Sequence, residues 1–281
     1  MLECVRRMIF KVWTLEDVMA NYQALFLDID GTILQPDDTM QDSTKEAVKQ
    51  MKEQGLEVFL ATGRPLHEIA DIGEVLKIDS FIGYNGALAI YNGQDIVKSP
   101  MSPDLVDLYI KVAHEKGNEL ILYTSSHNLL SHPENEMTKL FCKKFHLRSN
   151  RQYTEDQHAN ILGITVINLK EADIPLYESF PDIHLSQVNI EGFRHAYDVI
   201  SDKVNKGMAI GEILNRLNIE TKNAIAFGDG MNDKEMLSVV GVGFAMGNAH
   251  EKLFAYAKHR TTSVTDSGIY NGLKSLGLIK E

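Results

Sequence analysis

The chain alternates between short apolar runs and longer stretches of helical periodicity. Residues 24–27 (Ala-Leu-Phe-Leu) are an unbroken apolar run that ends in Asp28-Ile29-Asp30-Gly31, which predicts a buried strand opening into a polar loop. Over 43–54, Ala47, Val48 and Met51 share one helical face and Gly55 supplies the stop. The run at 56–61 predicts a second strand, closed by Thr62-Gly63-Arg64-Pro65, and proline suits the first turn of a following helix. Phe81-Ile82-Gly83 reads as a third short strand. Continuous apolar strands alternating with amphipathic helices predict a parallel sheet covered on both faces.

From about residue 87 the pattern changes. Residues 87–91 and 95–97 flank Asn92-Gly93, a favoured two-residue hairpin turn. A helix from Ser102-Pro103-Asp104 to Gly117, a strand over 119–124, a helix over 133–145 and strands over 161–168 and 183–188 follow. This mixture predicts an antiparallel α+β unit. After about Asn189 the first rhythm resumes, with Ile210, Ile213, Leu214 and Leu217 striping a helix over 206–217. Strands over 224–227, ending in Gly228-Asp229-Gly230, and over 242–245 complete it. The expected fold is α/β: a Rossmann-like, doubly wound parallel-sheet core over 21–86 and 189–281, an inserted α+β domain over 87–188, and an N-terminal extension over 1–20.

Composition narrows the partners. With 281 residues, 44% hydrophobic and 24% charged, the chain is ordinary globular material, long enough to bury a core without staples. A net charge of −11 and no Lys/Arg block argue against nucleic acid and anionic membranes as partners. No apolar run approaches the roughly 20 residues that cross a bilayer. Cys4 and Cys142 are far apart and form no CxxC pair, which fits a reducing cytoplasm. Around Arg6-Arg7 there is no small-residue cleavage site, so residues 1–20 read as an appendage and not as a signal peptide.

Four polar clusters follow core strands or open core helices: Asp28-Ile29-Asp30-Gly31-Thr32, Thr62-Gly63, Lys206, and Gly228-Asp229-Gly230-Met231-Asn232-Asp233. Each alone has a plain reading, as a turn, a solvated lysine or a helix cap. Their order and context are more specific, because open α/β sheets bind ligands at the carboxyl ends of their strands. Together they resemble the haloacid dehalogenase-like hydrolase superfamily, and within it the Cof-like branch of phosphatases, which carry an α+β cap between the second and third motifs. Tyr84-Asn85-Gly86-Ala87, Asn205-Lys206-Gly207, Ala245-Met246-Gly247-Asn248-Ala249 and Asp266-Ser267-Gly268 strengthen the likeness, which runs from about Asn21 to the C-terminus.

The resemblance implies a cytoplasmic Mg²⁺-dependent phosphatase for small phosphorylated metabolites such as sugar phosphates. Asp28 is then the nucleophile that becomes phosphorylated and Asp30 the general acid–base. Thr62, Gly63 and Asn232 are expected to hold substrate, and Lys206 to neutralise Asp28 and the phosphate. Asp28, Asp229, Asp233 and the Asp30 carbonyl are expected at the cation. Arg64 is expected either on phosphate or paired with an acid, and His67 and Glu68 at the rim. A phosphomutase shares the motif and remains an alternative. A catalytically idle binding protein is disfavoured, because every motif position is filled.

Overall fold

Alternation along the buried strands sets the layers. In the strand Ala24–Leu27, Leu25 and Leu27 join Ile225 and Phe227 on one face of the sheet, where Ala47, Val48 and Met51 of the helix Asp42–Glu53 pack. Ala24 and Phe26 point the other way, with Ala224 and Ala226, against Ile210, Ile213 and Leu214 of the helix Lys206–Leu217. Both faces are covered by helices, which is why the strands read as continuous apolar runs.

The computed structural model describes residues 22–188 and 190–280. The expected extension over 1–20 lies outside the described residues, and so does Asn189 at the expected domain boundary. Among those described, one sheet has eight strands in the order His259–Arg260, Val242–Ala245, Ala224–Gly228, Ala24–Leu27, Glu57–Ala61, Phe81–Gly83, Leu88–Tyr91, Gln94–Lys98. The first six pair parallel and the last two antiparallel. This is the α/β parallel-sheet core that the sequence predicts.

A second sheet of six strands runs Ile183–Gln187, Tyr197–Ser201, Gly163–Ile167, Glu119–Tyr123, Asn128–Leu130, Asn150–Gln152. Its outer face packs on the helix Pro103–Lys116 through Leu105, Val106 and Tyr109. That helix is well framed: Ser102 Oγ accepts from Leu105 N, Pro103 opens it, and Gly117 closes it at φ 69°. No helix among the described residues is long and apolar enough to cross a membrane.

Two boundaries differ from expectation. The hairpin 88–98 was assigned to the inserted unit, yet its strands extend the core sheet. The short turn Tyr84–Gly86 folds the chain straight back onto Phe81–Gly83, and a hairpin's turn chemistry says nothing about which sheet it joins. Conversely, Tyr197–Ser201 was assigned to the core and pairs instead in the second sheet, between Ile183–Gln187 and Gly163–Ile167. The two crossings between sheets therefore fall near 99–102 and 202–205, not at 86–87 and 188–189.

The sheets are clasped at one junction. Glu68, buried on the core side, accepts from Asn128 Nδ2 at 2.6 Å and from the backbone N–H of Arg148 at 2.8 Å. His67 Nε2 meets Asn128 Oδ1 at 2.9 Å, and Tyr84 donates its hydroxyl to the Thr124 carbonyl at 2.7 Å. His67 and Glu68 are thus junction residues and not the rim residues that their helix position implied.

Candidate active site

The carboxyl ends of the parallel strands converge on one place. Asp28 follows Ala24–Leu27 and is tied to the neighbouring strand through its N–H to the Phe227 carbonyl, 3.0 Å. Asp229 follows Ala224–Gly228, and Thr62 follows Glu57–Ala61 with its N–H on the Ile82 carbonyl at 2.8 Å. Lys206 arrives from the opposite direction, as the first residue of a helix capped by Asn205, whose side chain accepts from Met208 N.

Lys206 is fully buried, and its Nζ lies 2.6 Å from Asp28 Oδ1 and 2.7 Å from Asp233 Oδ1. Asp233 Oδ2 accepts from the backbone N–H groups of Asp229 and Gly230, both at 3.0 Å. Both Asp233 oxygens are therefore engaged in holding the lysine and shaping the Asp229 loop. Asp233 still offers an oxygen to the acid group it forms with Asp28 and Asp229. Asp28 and Asp229 both line the cavity.

Asp28, Asp229 and Asp233 bring carboxylate oxygens within 4.8 Å of one another. Three carboxylates face one ammonium here, and Asp28 and Asp229 carry the imbalance. Burial and then Asp233 push the Asp28 carboxyl well above the ordinary range, with Lys206 offsetting only part. Burial and Asp233 likewise push Asp229 up to about 6. Burial alone would depress Lys206, but Asp233 and Asp28 outweigh it and hold the ammonium above its usual value. An all-oxygen donor set with excess negative charge fits a hard divalent cation.

Small groups pack tightly around the acids. Gly31 has φ +80°, and a Cβ there would lie 2.3 Å from Asp229 Oδ2, so no side chain fits between the first and last acid loops. Thr32 Oγ1 donates to Asp229 Oδ1 at 3.2 Å, while Asn248 Nδ2 donates to the Gly31 carbonyl at 2.8 Å. Asn248 also accepts from Val264 N, so it ties three loops together.

The Asp30 carboxylate stands apart from the cluster, half exposed, in a two-pronged pair with Arg64 Nε and Nη2. Arg64 thus takes the acid-paired role, and the acid is the one expected to move protons. Thr62 Oγ1 accepts from Arg64 N at 3.0 Å, leaving its hydroxyl proton uncommitted. Asn232 Nδ2 donates to Asn85 Oδ1 at 3.1 Å, and a Cβ on Gly63 would lie 3.0 Å from that same oxygen. Asn85 therefore lines the site beside Gly63 and Asn232, although the sequence reading gave it no role. Its signal was the Tyr84-Asn85-Gly86 turn, where Tyr84 and Asn85 both take φ 53°, a left-handed conformation that fixes a side chain deliberately.

The acids open into a cavity of about 1500 Å³ between the two sheets. Asp28, Asp30, Arg64, Asn85, Asp229 and Asn232 line its floor, and residues of the second sheet and the helix Glu136–Lys144 line the remainder.

Residues 25–273 match the family model for haloacid dehalogenase-like hydrolases. YkrA of Bacillus subtilis, provisionally named a phosphatase, is 31% identical over 91% of this chain and 98% of its own. The 5-amino-6-(5-phospho-D-ribitylamino)uracil phosphatase YitU of Bacillus subtilis is 24% identical over 88% of this chain and 95% of its own. Among solved structures, the subclass IIB sugar phosphatase BT4131 superposes with a TM-score of 0.78 at 27% identity, covering 92% of this chain and 100% of that one. The strand-end acids, the buried lysine and these matches agree: the chain belongs to the haloacid dehalogenase-like hydrolases, in their Cof-like phosphatase branch.

Proposed function

We propose that the protein is a Mg²⁺-dependent phosphatase of small phosphorylated metabolites and that it works through a phospho-aspartate at Asp28. One observation carries this reading: Asp28, anchored by Lys206 at 2.6 Å and grouped with Asp229, opens into a cavity large enough for a metabolite. Sugar and ribitylamino phosphates are substrates named for relatives of the chain, which supports the small-molecule class.

Lys206 holds Asp28 through Oδ1, and the other carboxylate oxygen, Oδ2, is the one that attacks phosphorus. The attack forms an Asp28–phosphoryl bond and breaks the ester P–O bond; Asp30, both of whose oxygens rest on Arg64, swings out of that pair and takes a proton from solvent before the attack, and gives it to the departing oxygen. Asp30, now a carboxylate, takes a proton from water as that water attacks phosphorus, which breaks the acyl phosphate and releases inorganic phosphate. Arg64 receives the Asp30 carboxylate again when neither task occupies it. Thr62 Oγ1–H and Lys206 Nζ meet the negative phosphoryl oxygens. Mg²⁺, held by Asp28, Asp229 and the Asp30 carbonyl with Asp233 supporting the loop, would supply the positive charge that the site lacks. The second sheet with its helices acts as a cap that excludes water and contacts the leaving group.

Phosphate release from an aryl phosphate should vanish in EDTA and return with Mg²⁺. Stability adds a second reading. Asp28 and Asp229 have folded values raised above the unfolded ones, so the metal-free protein loses stability as pH climbs from the ordinary Asp range through about 6. Mg²⁺ favours the charged carboxylates, and its stabilisation should be larger at pH 8 than at pH 5, by on the order of 1–3 kcal/mol. Full turnover in excess chelator, with no thermal response to Mg²⁺ at pH 8, would remove the cation.

Asp30→Asn should slow turnover of an alkyl phosphate by about 10²–10⁴-fold, the usual worth of a positioned acid–base. A nitrophenyl ester, whose leaving group needs no proton, should lose less in the phosphorylation step, which rapid-quench kinetics separates from hydrolysis. Wild-type turnover of the alkyl ester by this variant would take the role away from Asp30.

A further inference from the structure

The inner face of the second sheet carries an ionisable group with no part in the phosphoryl chemistry. Asp198 sits in the strand Tyr197–Ser201, directly across from Thr165 and Ser186. Tyr197 and Val199 are buried in the outer core under the helix Pro103–Lys116, so the strand's alternation sends Asp198 to the other side, into the cavity. Its surface is exposed there, yet surrounding protein pushes its carboxyl above the ordinary range.

Asp198 is held in place. Thr165, fully buried, donates its hydroxyl to Asp198 Oδ1 at 2.6 Å. With that proton committed, the 2.9 Å contact between Thr165 Oγ1 and Tyr123 OH must have tyrosine as donor. A chain of two directed hydrogen bonds thus fixes one carboxylate oxygen. Oδ2 has no hydrogen-bond or ion-pair partner among the described residues. A partly desolvated carboxylate with one oxygen pinned and one bare is costly unless something that donates hydrogen bonds meets it.

We propose that Asp198 selects the leaving group: its Oδ2 accepts hydrogen bonds from O–H or N–H groups of the alcohol being released, so that preferred substrates are phosphate esters of polyhydroxylated or amino-bearing alcohols. This rests on the phosphatase reading above. The floor holds the phosphoryl group, and the roof reads what is attached to it. An alcohol without donors would strip water from Asp198 and return nothing, and such mismatches are penalised more strongly than a missing methylene.

The test compares kcat/KM for a polyol phosphate and an aminoalkyl phosphate with that for phenyl phosphate, in Mg²⁺, for the wild type and Asp198→Asn. Asparagine keeps an acceptor for Thr165 and places an amide N–H₂ where the bare oxygen was. The donor-rich to donor-free ratio should fall about 10–100-fold, mainly through KM. A loss confined to the polyol or to the amine ester identifies which donor the site takes. Asp198→Ala repeats the measurement should the asparagine variant fold poorly or turn its amide around. A ratio within twofold of wild type in a folded, active variant overturns the role of Asp198 alone. Wild type that releases phosphate from none of the three esters overturns the phosphatase reading, and this proposal with it.

Discussion

Asp28→Asn is expected to abolish turnover and phosphoenzyme together, with a fall on the order of 10⁴-fold or more, as removal of an enzyme's nucleophile produces. The substitution is nearly isosteric. An amide oxygen can still accept from Lys206 Nζ, so the loop between Ala24–Leu27 and Gly31 should keep its form. What disappears is the anionic oxygen that attacks phosphorus. The same change removes, from a group of three crowded carboxylates, the Asp28 charge that the buried site resists, so the metal-free variant should unfold at a higher temperature than the wild type near pH 8. Loss of activity with gain of stability separates a missing nucleophile from a damaged fold. Rapid acid quench of the wild type during turnover, followed by mass spectrometry, should show one phosphoryl group on the peptide carrying Asp28, absent in the variant. Normal turnover by Asp28→Asn would end the covalent mechanism.

The parts of this architecture legible in the sequence were those fixed by local rules. Ala24–Leu27 and Val242–Ala245 are wholly buried, so their runs are unbroken, and Lys206–Leu217 shows its stripe because one face alone meets the sheet. The loops after those strands carry polar residues with no packing reason to be there, which is why Asp28, Thr62 and Asp229 stood out. Properties of pairing were not legible. Leu88–Tyr91 looks the same whether it adds to the core or starts a new unit. Tyr197–Ser201 alternates buried and open positions as any strand with one open face does, and one of its two partners, at Thr165–Val166, is distant in the sequence. The asparagine at 85 has an ordinary turn composition, and its place beside Gly63 and Asn232 exists only once four strands are side by side. Arg64 and Asp30 are 34 residues apart, and each had several candidate partners on paper. Asp198 was hidden for a further reason: it matters through the Thr165–Tyr123 chain, which crosses three strands of a sheet whose order the sequence does not print.

Lys206 should prove the residue on which the resting site depends most for stability. It is fully buried, and so is Asp233, while Asp28 is nearly so; their contacts of 2.6 and 2.7 Å make a three-membered buried ion network. Such a network adds little over a well-packed apolar substitute, but removal of one member strands the others. Lys206→Ala leaves Asp28 and Asp233 facing each other without a cation and opens a cavity where a long side chain lay. The expected loss in metal-free buffer at pH 8 is about 3–5 kcal/mol, read from denaturant midpoints. The pH dependence has a definite sign. Without the lysine, the folded value of Asp28 rises further above its unfolded value, so the penalty is present at high pH and shrinks as pH falls toward the unfolded Asp range, where both states hold the proton. Wild type and variant should therefore draw together at pH 5. Saturating Mg²⁺ should recover part of the loss, because Asp28 regains a counter-charge, but not the part owed to the cavity that the long side chain leaves. Lys206→Arg should not rescue it, since a planar guanidinium has no room in a fully enclosed slot cut for a single ammonium. A Lys206→Ala protein within about 1 kcal/mol of wild type at pH 8 would mean that the two acids discharge each other by sharing a proton, and the lysine would then be a phosphate ligand alone.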